Sequence, residues 1–357
     1  MIPRLYEKTE TAFTGFGIGP LSDVISCHVT EERNGEFYLE MEYPRDGHLA
    51  NDLVLDRLIL ADPYDNATQA EPFRITQVTY DLVDNMQIYA VHISYQLTSI
   101  IIPRFSTTVS TPSAAWTAAV ANVYNTNPFT FSSDITGGIS RTFGSEIAVP
   151  LRTLLGGMTG SFLDSFGGEF KWTRYTVNQL SARGADNGVK IAYTKNLTGL
   201  NYDIDMSSVM TAAVAYWYNN GTYKSSDMQT IANTYAFEHT MVLDASGDFE
   251  NEPLRADLNA YALAQLTQTA ADPTLSLEVE FVPLWQTEEY KDFYGLEHVA
   301  LCDTVTVLYP PLDLNIKAKV VKTVYDVLAD RYSELSISTV RASIVDTIYD
   351  LMKGETK

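Results

Sequence analysis

Cysteine is scarce in this chain. Cys27 and Cys302 are the only two among 357 residues, too few for the disulfide framework of a small secreted domain, and their apolar surroundings predict buried, inert thiols in strands. Histidine offers no ligand set either. His28, His48, His92, His239 and His298 include no pair four apart and no Cys-x-x-Cys occurs, so zinc spacing is missing. No apolar run reaches the roughly 20 residues of a membrane span, and the polar start MIPRLYEKTE is not a signal-peptide pattern. Without a secretion signal, Asn196-Leu197-Thr198 and Asn220-Gly221-Thr222 carry no weight as glycosylation triplets. Basic charge is in deficit, with 24 Lys and Arg against 45 Asp and Glu and a formal net charge of -21. Such a surface repels phosphate and argues against a sequence-reading nucleic-acid binder, though not against a wall past which DNA slides.

Catalytic patterns are missing as well. Leu155-Gly156-Gly157-Met158-Thr159-Gly160-Ser161 opens a helix, but no lysine follows and the spacing fits neither phosphate-binding pattern, so a tight turn is expected. Asp164-Ser165-Phe166-Gly167 is no nucleophile elbow. Asp244, Asp248, Glu250 and Glu252 depart from calcium-loop spacing and suit the positive end of the helix that follows. Adjacent Glu288 and Glu289 diverge in any regular element. The expectation is a protein that is not an enzyme and needs no cofactor or metal.

What is present is alternation, and it occurs twice. Val299 to Ser338 reads as three strands: Val305 and Val307 alternate with polar neighbours, Pro310-Pro311 breaks the run, and Ile316, Ala318 and Val320 resume it. A turn through Tyr325-Asp326-Val327-Leu328-Ala329-Asp330 leads to Leu335 and Ile337. Leu55 to Val91 has the same order: Leu58-Ile59-Leu60, a break at Pro63, Phe73 to Val78, the turn Tyr80 to Asp84, then Gln87-Ile88-Tyr89. Upstream of each copy, Leu39-Glu40-Met41-Glu42-Tyr43-Pro44 echoes Leu277-Glu278-Val279-Glu280-Phe281-Val282-Pro283. Two echoes in one order predict a duplicated β domain.

Taken in order, Leu21 to Val29 reads as a first strand and Asn34-Gly35 as a hairpin turn. Phe37, Leu39, Met41 and Tyr43 then point to one face, with Glu36, Tyr38, Glu40 and Glu42 on the other. Residues 1–102 make a first small β barrel. From 103 to 198 the composition shifts to an α+β insert. Thr111-Pro112 starts a helix bearing Trp116, Ala119, Val120 and Val123; Leu151, Leu154 and Leu155 follow Pro150; Gly160 to Phe166 is a short helix closed by Gly167-Gly168; Glu169 to Leu180 is a hairpin before a strand from Val189 to Tyr193. Residues 199–342 make the second barrel, with strands at Val214–Tyr218 and Tyr235–Leu243, interrupted by a helix at about 253–267 carrying Leu254, Leu258, Tyr261, Ala262 and Leu266. Residues 343–357 form a closing helix. The fold class is α+β, mainly β.

Several of these stretches resemble one family: Gly17 to Asp23, Val29 to Phe37, Pro72-Phe73-Arg74-Ile75, His92-Ile93-Ser94-Tyr95, Leu154 to Gly157 running on to Gly160–Asp164, Gly167-Gly168-Glu169-Phe170, Leu284 to Lys291, and Leu301-Cys302-Asp303-Thr304-Val305. In this order, over nearly the whole chain, they are similar to the tail-associated protein of siphophages and prophages of Gram-positive bacteria. That family is also called the phage minor structural protein N-terminal region or prophage endopeptidase tail. The resemblance marks Gly35, Gly156, Gly157, Gly160, Ser161, Gly167, Gly168, Trp285 and Cys302 as structural motif residues. It implies a baseplate-hub fold, a homotrimer whose six β-barrel domains form a pseudo-sixfold ring, and a place at the virion tail tip below the distal tail protein. The tape measure protein, tail-tip or receptor-binding proteins and passing DNA are the other expected partners. In longer relatives a lytic domain follows the hub; this sequence stops at Lys357, so an endopeptidase activity is not expected of it. Glu40, Glu42, Glu278 and Glu280 are candidate lumen-lining acids. The competing readings are a tail-associated cell-wall hydrolase and a carbohydrate-binding receptor module, the second suggested by 22 tyrosines and 4 tryptophans.

Overall fold

A computed structural model describes residues 2–338, apart from 66, 81, 83, 122, 138–139, 250, 269–273, 282, 287–288, 290–297 and 313. The helix expected over 343–357 lies outside the described residues. Two compact units form, Met1–Leu200 with Glu278–Ser338, and Asn201–Leu277.

The first unit is built on an eleven-stranded sheet. Its strands are β1 (Arg4–Tyr6), β2 (Gly19–Pro20), β3 (Ser26–Glu32), β4 (Phe37–Pro44), β5 (Leu58–Ala61), β6 (Glu71–Tyr80), β7 (Asn85–His92), β8 (Asp186–Ala192), β9 (Thr304–Tyr309), β10 (Leu314–Asp326) and β11 (Arg331–Ser338). The order is β8-β9-β10-β3-β4-β7-β6-β5-β1-β2, and β11 also pairs with β10. Among the described residues no sheet closes on itself, and the strands of both sequence copies lie in this one sheet.

The alternation in β4 dictates its setting. Phe37, Leu39, Met41 and Tyr43 are buried, whereas Tyr38, Glu40 and Glu42 face away. Asn34 takes the left-handed conformation that a β3–β4 hairpin turn needs, with φ 56°. The first strand begins later than expected, at Ser26 rather than Leu21. Leu21 is buried in a turn, and the Asp23 carboxylate accepts from His48 N–H at 2.6 Å, which holds that turn off the ladder. β1, within the polar start, was not expected at all; Leu5 and Tyr6 bury there against β5.

The repeated strand order is visible bond by bond. β5–β6–β7 and β9–β10–β11 are both antiparallel meanders. Leu58 opposes Arg74 as Thr304 opposes Lys319. A bulge interrupts β6–β7 between Ile75 and Gln77, and β10–β11 between Val320 and Lys322. Before each first strand sits a residue at φ 73°, Asp56 in one copy and Cys302 in the other. Asp56 N–H donates to Ile75 O and Ile75 N–H to Arg57 O, both at 2.9 Å. Cys302 N–H donates to Val320 O and Val320 N–H to Asp303 O, again both at 2.9 Å. Cys302 thus stands in a turn and not, as expected, in a strand.

Residues 103–198 carry α1 (Pro112–Val120), α2 (Leu151–Leu155) and α3 (Phe162–Phe166). Thr111 caps α1, its hydroxyl accepting from Ala114 N–H at 3.2 Å, and Pro112 at the first helical position fits the rule for helix starts. The core here is aromatic. Phe162 is buried among Trp116, Phe131, Phe143 and Phe166, with ring centroids 4.9–6.5 Å apart.

The second unit has a four-stranded sheet, Ala212–Asn219 pairing with Thr222–Ser225, Gln229–Thr230 and Thr240–Asp244. Helix α4 (Arg255–Gln268) places buried Leu258, Ala262 and Leu266 against Ala213, Ala215 and Trp217. Each such leucine contributes about 1.5–3 kcal/mol. Leu254, expected on that face, is exposed, because it precedes the first turn. The strand expected from Tyr235 begins at Thr240. The Asn233 side chain accepts from Tyr235 N–H and sets up a local turn in place of a ladder.

Candidate functional site

A charged residue at an inward register position is the first sign of a built site. In β3, Cys27 and Val29 point inward, and so does Glu31. It meets Arg183 in two parallel bonds, Nη1–Oε1 at 2.6 Å and Nη2–Oε2 at 2.8 Å, with both side chains buried. Burial alone would lower the Arg183 pKa, but the adjoining Glu31 carboxylate outweighs it and holds the guanidinium above its ordinary value. Glu169, also buried, accepts from Arg33 Nε at 2.7 Å, Lys319 Nζ at 2.6 Å and Arg183 N–H at 2.7 Å. Burial pushes this carboxyl up, and these donors together pull it below the usual range.

The stretches that carry the family resemblance converge here. Phe170 N–H donates to Asn34 Oδ1 at 2.7 Å, and Asn34 Nδ2 donates to Gly168 O at 3.2 Å. Gly168 has φ 87°, and a Cβ there would lie 2.4 Å from Leu180 O, so no other residue fits. Arg152 donates to Gly35 O at 3.2 Å and Ser94 Oγ at 3.1 Å, with its guanidinium 3.9 Å over the Tyr95 ring and 5.3 Å from that of Trp172. His92 is fully buried and stacked on Phe37 at 4.3 Å. Its Nδ1 accepts from Ser94 N–H, so the ring proton sits on Nε2 and points to Glu71 Oε2 at 3.2 Å. Arg174 N–H reaches the same oxygen at 2.5 Å. Burial depresses His92 to about 3 and raises Glu71 to about 8.

At the second copy, Gly184 lies against the Cys302 turn so closely that a Cβ would fall 2.2 Å from the Cys302 carbonyl carbon. Asp303 accepts from Ala185 N–H and Ala300 N–H, both at 2.8 Å. Burial pushes the Cys302 thiol up to about 12 and the Cys27 thiol still higher, which makes both poor nucleophiles. Trp285 is buried, its Nε1 donating to Asp65 at 3.3 Å while His298 bonds the other carboxylate oxygen at 3.1 Å.

The remaining motif residues serve the turns around α3. Gly156 ends α2 under Leu163, and Gly157 and Gly160 follow in the loop. Ser161 caps α3, accepting from Asp164 N–H at 3.3 Å, and Gly167 closes it, its carbonyl accepting from Gln179 Nε2 at 2.7 Å. These residues and the ion pairs lock distant segments together. They present no nucleophile and base, and among the described residues no three His, Cys, Asp or Glu side chains are placed to share a metal. Asp244 and Asp248 accept from the Tyr216 and Tyr261 hydroxyls at 2.8 and 2.9 Å.

The candidate lumen acids lie elsewhere. Glu40 is exposed on the outer face of β4, between His28 and Tyr89 on its neighbours, and Glu42 accepts from Asn85 Nδ2 at 2.7 Å. Burial, then the charges of Glu36 and its neighbours including Glu40, raise the Tyr89 phenol to about 12. Glu278 and Glu280 fall in the strand Thr274–Phe281, and their side chains lie outside the described residues.

Solved structures share this fold. A prophage tail protein, gp18, of Listeria monocytogenes EGD-e is similar over 99% of both chains, with 16% identity and a TM-score of 0.61. The 43 kDa tail protein of prophage MuSo2 from Shewanella oneidensis covers 88% of this chain and 94% of its own at 9% identity and TM-score 0.57. A tail protein of Neisseria meningitidis MC58 covers 88% and 91% at 10% identity and TM-score 0.55. No curated protein matches the sequence. The fold is therefore that of prophage tail proteins. Residues 185–348 match the model of the prophage endopeptidase tail family, the same family that the sequence motifs resemble.

Proposed function

We propose that this chain is a structural hub at a phage-type tail tip. Three copies form a ring that continues or closes the tail tube below the distal tail protein, with the tape measure protein above and receptor-binding or other tip proteins below. The observation that carries this reading is the duplicated meander in a chain whose fold is shared end to end with a prophage tail protein. Two similar modules in each of three chains supply six similar wall segments, the way a threefold assembly meets a sixfold tube. The division into tube modules at 1–102 and 199–342, an insert at 103–198 and a terminal helix at 343–357 belongs to this proposal.

The buried network supports a rigid, non-catalytic part, since its carboxylates and cations neutralise one another out of reach of a substrate. Glu40 and Glu42, on an outer sheet face, would line the channel with Glu278 and Glu280 and repel DNA phosphates so that the duplex slides. Electron microscopy of the purified chain and of assembled tails tests the reading. Rings with threefold symmetry and six similar wall segments are expected. Cell-wall clearing in a zymogram would favour a hydrolase instead, and a ring map with Glu40 on its outside would remove the lumen role.

A further inference from the structure

The two copies of the meander share backbone geometry but not partners. In the second, the edge of β10 beyond β9 is covered: Lys322 to Asp326 pair with Glu32 to His28 of β3. Val321 O accepts from Arg33 N–H at 2.8 Å, and at the turn Val327 N–H donates to Cys27 O at 2.9 Å. Val327 is 0% exposed. The shared bulge sets Gln77 against Lys322, so the matching edge in the first copy runs from Gln77 to Tyr80, with Leu82 at the place of Val327. Among the described residues β6 pairs with β5 and β7 alone, and no strand runs along that edge. Thr76, Gln77, Thr79 and Tyr80 are exposed, and Leu82 is 101% exposed at the hairpin tip. A bare edge ending in an exposed leucine invites another strand.

We infer that the outer edge of β6, with Leu82 at its tip, receives a strand from a second copy of this chain, in the antiparallel arrangement that β3 adopts on β10. A second copy is the occupant because the chain itself shows what covers this edge. Where the duplicated unit is partnered, a strand of the chain's other half covers it and the tip residue is buried. Repeated head to tail, one such contact per chain closes into a ring. The inference rests on the hub reading and names the surface by which the copies would join.

The test uses the full-length chain. Sedimentation velocity over a concentration series compares the natural chain with Leu82→Asp, a fully exposed site whose change leaves the fold intact by circular dichroism. In parallel, Leu82 is replaced by photoreactive benzoylphenylalanine and irradiated. Self-association weakened at least tenfold by Leu82→Asp is expected, with cross-links between copies at position 82 and slowed amide exchange at Gln77–Tyr80 on assembly. Rings that persist unchanged in Leu82→Asp, or that give no cross-link between copies, overturn this contact and leave the hub reading standing. A chain that stays monomeric at the highest attainable concentration and forms no ring overturns both.

Discussion

The meander made by β5, β6 and β7 and the one made by β9, β10 and β11 are built alike and treated oppositely by their surroundings. The left-handed residue before the first strand is exposed Asp56 in one and buried Cys302 in the other. The turn before the last strand carries exposed Leu82 in one and buried Val327 in the other. Glu71 of β6, which bonds the buried His92, is matched in β10 by Ile316. The lesson is that the same backbone bonds can recur while the environment decides which side chains matter. The same position can therefore be indispensable in one copy and free in the other.

The largest expected asymmetry is at the turns. Val327→Asp buries an unpaired carboxylate and should cost about 3–5 kcal/mol, whereas Leu82→Asp should stay within about 0.5 kcal/mol in the isolated chain. Urea unfolding of the two variants reads this directly, and equal losses would break the comparison. Next comes the clamp that holds Gly184 on the second copy. Arg183→Met leaves Glu31 charged and alone, with an expected loss of about 3–5 kcal/mol, while the double change Glu31→Leu with Arg183→Met should recover most of it. A double-mutant cycle measures both.

Two opposing pH effects should arise within the first copy. His92 has its folded pKa depressed to about 3 from 6.5, so the unfolded chain takes up a proton that the folded one refuses, and stability falls as pH drops below about 6.5. Glu71 is raised to about 8 from 4.5, so the unfolded chain gives up a proton that the folded one keeps, and stability falls as pH rises above about 4.5. Denaturation midpoints across pH should show both limbs, with Glu71→Gln flattening the alkaline one. The smallest effect is chemical. Asp56→Cys gives up the exposed ion pair with Arg74 and should cost no more than about 1 kcal/mol, yet react at once with a thiol reagent that leaves Cys27 and Cys302 untouched until the chain unfolds.

Local rules carried the sequence reading a long way. The β4 alternation, the Thr111-Pro112 helix start, the Asn34-Gly35 turn and the two meanders are written in neighbouring residues, and the structure has them all. The polar network was not legible, because Glu31 and Arg183, or Asn34 and Phe170, meet only after folding joins distant segments. One signal was available: Glu31 breaks the apolar register of Cys27 and Val29, and Arg152 sits beside apolar Leu151 and ahead of Leu154 and Leu155. A charge in an inward position announces a buried partner without saying which one.

Because Val29 pairs with Tyr325 across β3 and β10, β3 must wait outside the ribosome until the distant β10 has been made. Until then its outward hydrogen-bonding groups stay unsatisfied, open to mispairing with neighbouring nascent chains. The unit's maturation is therefore gated by synthesis of β10, and a product cut short before it would expose a sticky flank instead of folding as a smaller, self-sufficient piece.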